Sequence, residues 1–245
     1  MNNYCIKKLK EYLACSRSIV FFGGAGVSTE SGIPDFRSEN GIFEAIERFG
    51  EKPEVLLSHM FFIKHTARFY EYYRDSLLVT DVIPNAAHTA LAKLEEDGKL
   101  TAVITQNIDG LHQKAGSKSV YELHGSIYRN HCMQCGKSYD AEYVKRAAGI
   151  PMCDCGGIIK PDVVLYGEGL DERTVSGAIS SIAEADMMIV GGTSLAVYPA
   201  AGLLDYYSGD KLVLINKSST PYDDRANLII NDSIGKILSA AVECG

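Results

Sequence analysis

No apolar run in this sequence is long enough to cross a bilayer. Its longest, residues 19–22 and 187–190, fall far short of the roughly 20 residues that a spanning helix needs. Nor does an apolar stretch follow the polar, lysine-bearing residues 1–12, so no secretory signal is expected there. Positive charge is also short: 24 Lys and Arg stand against 31 Asp and Glu, a formal net charge of −7. Such a chain is a poor general binder of polyanions, and neither nucleic acid nor membrane is expected as a direct partner. Repeats, low-complexity tracts and long linkers are absent too. What remains is 245 residues, 46% of them hydrophobic, which suits one large α/β body or such a body with a smaller insert.

The alternation of elements gives the body its class. Residues 2–14 read as a helix with Ile6, Leu9 and Leu13 on one face. Residues 18–22 form a continuous apolar run that ends in Gly23 and Gly24, the pattern of a buried parallel strand feeding a glycine turn. Residues 100–105, 186–190, 211–215 and 227–230 read as further strands. Helices are expected over 60–78, from Pro84 and Asn85 to Gly98, over 171–185, and from Pro199 onward. Strand and helix in turn predict an open parallel sheet with helices on both faces. Two stretches interrupt it: 38–84, helical and aromatic, and 126–160, which holds the cysteines. Both read as insertions that form a smaller second domain, leaving 1–37, 85–125 and 161–245 as the main body.

Seven cysteines are present, an odd number, and four of them cluster. Without a secretory signal this favours a metal site in a reducing, cytoplasmic setting over disulfides. Cys132-Met-Gln-Cys135 is one knuckle and Cys153-Asp-Cys155-Gly-Gly another, the spacing of a four-thiolate zinc site. Four protein ligands leave no place for water, so the site is expected to be structural. His131 is set aside as a ligand. Cys5, Cys15 and Cys244 read as packing or surface residues.

The glycine turn Gly24-Ala25-Gly26-Val27-Ser28-Thr29 could bring backbone close to a pyrophosphate. It is not the dehydrogenase fingerprint, because Thr29 stands at the third glycine position. Its company is more telling. Gly32-Ile-Pro-Asp-Phe36-Arg37 follows at once, and Thr105-Gln106-Asn107-Ile108-Asp109 ends a strand. His124-Gly125 precedes the first knuckle, and Gly192-Thr193-Ser194 and Asn216 end two more strands. Polar residues at several strand ends point to one ligand crevice.

This constellation, in order and spacing, closely resembles the sirtuins from Ile19 to about Ser233. The resemblance implies a Rossmann-like domain and a small domain built from the zinc-binding and helical inserts. It implies NAD as a co-substrate, with zinc as a structural ion, and acylated lysine side chains of proteins as partners. The activity implied is NAD-dependent protein-lysine deacylation: the acyl oxygen attacks the nicotinamide ribose, nicotinamide leaves, and the acyl group ends on ADP-ribose. Carried over residue by residue, Ala25, Gly26 and Thr29 belong to the pyrophosphate turn, Phe36 covers the nicotinamide side, and Arg37 sits near the phosphates. Gln106 and Asn107 hold the ribose, and Ile108 and Asp109 line the nicotinamide pocket. Thr193 and Ser194 contact phosphate or ribose, Asn216 the adenosine ribose, and Ser233 the adenine. Val163, Val164 and Tyr166 lie in a segment, 163–168, that resembles the strand pairing with substrate backbone. His124 is the expected general base, because imidazole titrates near neutrality; His59, His65, His88 and His112 read as packing residues.

Members that prefer acidic acyl groups carry Tyr and, three residues on, Arg. Here Tyr70 is followed at that spacing by Tyr73, and Arg74 is displaced by one residue, about 100° around a helix. A preference for acetyl over succinyl is therefore expected. ADP-ribosyl transfer in the same pocket, a silent NAD sensor and a zinc-ribbon nucleic-acid binder are the competing readings; the last is disfavoured by the few cations near the knuckles.

Overall fold

The apolar runs become the middle of a six-stranded sheet in the computed structural model, which describes residues 2–35 and 39–242, with side chains for all of these but Asn2, Glu39 and Asn40. Phe36, Arg37 and Cys244 thus lie outside the described residues. The elements run α1 (Asn2–Cys15), β1 (Ile19–Gly23), α2 (Glu39–Phe49), α3 (Pro53–Leu56), α4 (His59–Lys64), α5 (Thr66–Tyr72), α6 (Ala86–Glu96), β2 (Leu100–Thr105), α7 (Leu111–Lys114) and β3 (Val120–Glu122). There follow β4 (Gly125–Cys132), β5 (Ser138–Tyr139), α8 (Ala141–Arg146), β6 (Ile159–Val163), α9 (Glu172–Glu184), β7 (Met187–Gly191), β8 (Leu212–Ile215), β9 (Leu228–Ile230) and α10 (Ile234–Ala241).

The large sheet has the order β3-β2-β1-β7-β8-β9, and every neighbouring pair in it is parallel. The chain moves outward from β1 through β2 to β3, then returns to β1's other side with β7. That reversal is the switch point at which open α/β sheets bind ligands. β1 and β7 are buried along their whole length, as central strands covered on both faces must be. Alternation divides their side chains between two cores. Ile19 and Phe21 pack with α1, α6 and α10, including Leu9, Leu91 and Ile237. Val20 and Phe22 pack with Ile182 of α9 and with Leu203 and Leu204. Each buried phenylalanine contributes roughly 1.5–3 kcal/mol by leaving water.

A second sheet, β5-β4-β6, is antiparallel. It shares a third core with the helical stretch: Leu56, Phe62, Phe69, Tyr70 and Tyr73 pack with Ile127, Val144 and Ile159. Phe62 meets Phe69 edge-on at 4.9 Å, and Phe69 meets Tyr70 edge-on at 5.3 Å, the arrangement that aromatic quadrupoles favour. The Tyr70 hydroxyl donates to the Ile159 carbonyl, which ties α5 to β6.

Three expectations need correction. Residues 60–78 are not one helix: α4 and α5 are broken at His65, whose φ of −134° and ψ of 43° leave the helical region, and Tyr73–Leu77 forms a π-helical turn. Pro199 opens a 3₁₀ helix, Ala200–Tyr206, and not an α-helix. The strand expected over 163–168 ends at Val163. Beyond it the chain is held by other means, since the Tyr166 N–H donates to Leu57 O and the His59 N–H to Tyr166 O, both at 2.9 Å.

Candidate active site and cysteine cluster

Two glycine loops meet at the switch point. The loop after β1 folds into two 3₁₀ turns, Ala25–Val27 and Thr29–Ser31. Its Gly26 N–H donates to Gly192 O at 2.8 Å, joining it to the loop after β7. A Cβ on Gly26 would stand 2.8 Å from Gly192 Cα, and one on Gly192 would stand 2.4 Å from Val27 N. Gly192 also has a φ of 61°, so glycine is required there on both counts. With its N–H already bonded, Gly26 offers the crevice a bare backbone surface.

This loop separates two cavities. Ala25 and Ser28 face the first, which is lined also by Gln106, Asn107, Ile108, Asp109 and His124, and by Val163, Val164 and Tyr166. Gly26 and Thr29 face the second, with Thr193, Ser194, Asn216 and Ser233. All the sequence-assigned ligand residues within the described chain therefore line one cavity or the other. Sequence reasoning gave no role to Ser28, Ile33, Pro34, Leu57, Ser76, Leu77 or Tyr198 in the first cavity, nor to Glu30 or Asp35 in the second. Ser28 stood in the glycine motif and could have been found there; Leu57, Ser76 and Leu77 come from the helical stretch and carry no local signal.

Two sets of hydrogen bonds tie the strand ends together. Asp109 Oδ2 accepts from Ser28 Oγ at 2.6 Å and Oδ1 from the Leu111 N–H at 3.0 Å. Asn107 Nδ2 donates to Ser28 Oγ and to Gly24 O, each at 3.0 Å. Gln106 Nε2 donates to Thr193 Oγ1 at 3.0 Å, and the Thr193 N–H donates to Asn216 Oδ1 at 3.0 Å. Asn216 Nδ2 has no protein partner. Groups oriented in this way need little reorganisation when a ligand arrives.

His124 sits between β3 and β4 with Nδ1 3.0 Å from Gln106 O. A carbonyl can only accept, so the proton is assigned to Nδ1 and the lone pair to Nε2. At the next residue, Gly125, a Cβ would lie 1.9 Å from Asp162 O, so β6 presses directly on the turn that presents the imidazole.

His88 and His112 meet edge-on near Asp109, with ring centroids 4.7 Å apart. Burial lowers His88 to about 4, against the pull of Asp109's charge. Burial, then the neighbouring His88, lowers His112 to about 3. Both are neutral packing residues near neutral pH, as read from sequence. His59 differs: its Nδ1 lies 2.8 Å from Glu168 Oε1, while Lys160 Nζ lies 3.1 Å from Oε2 of the same carboxylate. Together they brace the segment after β6. Tyr70, Tyr73 and Arg74 stand outside both cavity walls. Arg74 donates from Nε to Val144 O at 2.9 Å and from Nη2 to Gly149 O at 2.6 Å.

The four clustered cysteines come together, all sulfurs lying within 4.8 Å of one another. Cys132 and Cys155 are 3.5 Å apart, and Cys135 and Cys153 are 3.6 Å apart. A tetrahedral ion with zinc–sulfur bonds of about 2.3 Å needs sulfurs about 3.8 Å apart, so the donor set fits zinc. The Gln134 and Cys135 N–H groups point at Cys132 Sγ, at 3.4 and 3.5 Å. Cys153 is lowered to about 6 by the Cys155 N–H and the Tyr139 hydroxyl, in the sense that favours a thiolate ligand. The tighter second knuckle is accommodated by Gly157, where a Cβ would meet Cys132 Sγ at 2.6 Å, and by Lys137 Nζ, 2.6 Å from Asp154 Oδ2.

Residues 24–199 match the Sir2 family. A Clostridium acetobutylicum protein named NAD-dependent protein deacetylase is 63% identical over 97% of this chain and 98% of its own length. One of the same name from Clostridium tetani is 58% identical over 97% of each. Among solved structures, a Sir2 protein with deacetylated p53 peptide and 3′-O-acetyl-ADP-ribose is similar at a TM-score of 0.88 and 40% identity, over 97% of both chains. Another, Sir2 with p53 peptide and NAD⁺, gives 0.85 at 40% identity over 97% of both.

Proposed function

Because this chain belongs to the Sir2 family, we infer that its crevice removes acetyl groups from protein lysine side chains and transfers them to ADP-ribose, releasing nicotinamide. The observation that carries this reading is the loop shared by two cavities, with Ala25 and Ser28 on one side and Gly26 and Thr29 on the other. A dinucleotide laid across that loop has its pyrophosphate on bare backbone and one half in each cavity.

NAD, when bound, supplies the ribose carbon that takes up the acyl oxygen as nicotinamide departs. The rest falls to residues of the chain. Ala25, Gly26 and Thr29 hold the pyrophosphate; Thr193, Ser194, Asn216 and Ser233 hold the adenosine half. Gln106 and Asn107 orient the nicotinamide ribose. Ile108 walls the nicotinamide pocket, and Asp109, whose carboxylate retains acceptor capacity beyond its two bonds, receives the carboxamide N–H. Phe36 and Arg37, which the sequence assigns to the nicotinamide side and the phosphates, lie outside the described residues. His124 withdraws a proton from a ribose hydroxyl through Nε2, while Gln106 O holds the ring by Nδ1. Val163, Val164 and Tyr166 meet the peptide.

On this reading the NAD-binding body comprises 1–37, 85–125 and 161–245, and the smaller body 38–84 and 126–160. The four thiols suit a reducing cytoplasm. No helix among the described residues is long and apolar enough to cross a membrane.

Mass spectrometry after incubation with NAD and an acetyl-lysine peptide tests the function. Equal amounts of nicotinamide, acetyl-ADP-ribose and deacetylated peptide are expected. ADP-ribosylated protein without deacetylated peptide would overturn the reading in favour of ADP-ribosyl transfer.

A further inference from the structure

The helical stretch returns to the large sheet through Asn85, and this side chain does two things at once. Asn85 Oδ1 accepts from the Ala87 N–H at 2.9 Å, capping α6. Asn85 Nδ2 donates to Val27 O at 2.8 Å and to Ser31 Oγ at 3.0 Å. The orientation of the amide is fixed by its neighbours: an N–H on one side demands oxygen, and a carbonyl on the other demands nitrogen. Its own N–H is held in turn by His88 Nδ1 at 3.2 Å, which completes a capping box.

The two acceptors flank the part of the loop that separates the cavities. Between them lie Ser28, which faces the first cavity, and Thr29, which faces the second. Inside the crevice, Ser28 is held by Asn107 and Asp109. From behind, Asn85 grips the same stretch on both flanks. Asn85 itself lines neither cavity, so any effect it has on a ligand passes through the loop.

We propose that Asn85 is a positioning residue for NAD, a strut from the cap of α6 that sets the height and tilt of residues 27–31 against the ligand crossing them. The proposal rests on the reading of this loop as the NAD site. Losing both donated bonds leaves the Val27 carbonyl and Ser31 hydroxyl without that support, and the loop's bound geometry becomes one of several.

Asn85→Asp separates the two jobs. Aspartate caps a helix about as well as asparagine, but it has no N–H to give and sets a carboxylate against the Val27 carbonyl. The expected result is a melting temperature close to wild type, a KM for NAD raised about fivefold, since the bond to Val27 O is lost and one hydrogen bond is worth about fivefold while the Ser31 hydroxyl can turn to donate to the carboxylate, and a KM for acetyl-peptide within about twofold. Asn85→Ala loses both bonds and the cap, and should raise the KM for NAD up to about 25-fold with a lower melting temperature. A KM for NAD within twofold of wild type in Asn85→Asp would overturn the proposal. So would a parallel loss in both KM values that tracks melting temperature across the two variants. If Asn85→Asp does not fold, Ser31→Ala removes one acceptor without touching the cap. A KM for NAD raised about fivefold is expected there, and an unchanged value counts against the strut. Calorimetric titration of the wild-type chain with NAD keeps the two ideas apart: absence of binding takes down the NAD reading and the strut with it, whereas binding with an unaffected Asn85→Asp takes down the strut alone.

Discussion

The Tyr139 hydroxyl lies 3.0 Å from Cys153 Sγ, so a hydrogen bond ties the β4–β5 hairpin to a ligand sulfur of the tighter knuckle. Removing such an outer contact typically costs 10–100-fold in metal affinity. Tyr139→Phe should therefore release zinc to a competing chromophoric chelator at about tenfold lower chelator concentration, with the sheet intact. Cys153→Ser should lose the metal and lower the melting temperature. Unchanged zinc content in Cys153→Ser would count against the four-cysteine site.

His124→Ala should leave NAD binding and melting temperature near wild type and reduce kcat by about 10²–10⁴-fold, the usual contribution of a positioned base. Steady-state kinetics and NAD calorimetry on the same preparation check this. Turnover near the wild-type rate would refute the role.

The His88–His112 pair predicts a pH dependence of stability. Both folded values, about 4 and about 3, lie below the ordinary value of 6.5. The unfolded chain therefore takes up protons that the fold refuses. Stability from this source is fully present above about 6.5 and falls as pH drops toward 4, by up to about 1.4 kcal/mol per pH unit for each proton. His112→Leu should flatten that slope by about one proton and cost little at pH 7.5, because both ring nitrogens of His112 are buried without partners. Urea midpoints at pH 5, 6 and 7.5 measure it; equal slopes in the two proteins would exclude the pair as the cause.

Acetyl-lysine should be turned over at least about tenfold faster than succinyl-lysine, because a carboxylate brought into the cleft without a partner pays its desolvation. Tyr70 is fully buried with its hydroxyl on a β6 carbonyl, and Arg74 is bound to two backbone oxygens. No lysine or arginine among the described residues lines the first cavity. Arg74→Met should accordingly lower stability and leave the acyl preference alone. Competition between the two acyl forms of one peptide decides it, and faster succinyl removal would defeat the argument.

The strands that the sequence made legible are those whose environment is uniform. β1, β2 and β7 are buried on both faces, so their apolar runs are nearly unbroken. The cysteine site was legible because ligand spacing is itself a geometric constraint. β4 was not, since Arg129, Asn130 and His131 interrupt its alternation, and Asn130 is buried there although it is polar. The π-helical turn that brings Ser76 and Leu77 to the cleft was hidden for a different reason. Helical periodicity says that a residue is on a face, but the extra residue in the turn changes which face. The Asn85 contacts join residues 54 and 58 positions apart, a relation that only the folded chain reveals.

The contact between Gly26 and Gly192 has a genetic consequence. In most close pairs a side chain enlarged on one partner can be accommodated by shrinking the other. Here both partners are already at the minimum, and each added Cβ would strike the opposing backbone, which no substitution can trim. A saturation screen of the two positions should find no tolerated single change and no second-site suppressor at the partner. Recovery from either lesion would have to come from shifting the β1 and β7 loops apart, which would widen the crevice between its two halves.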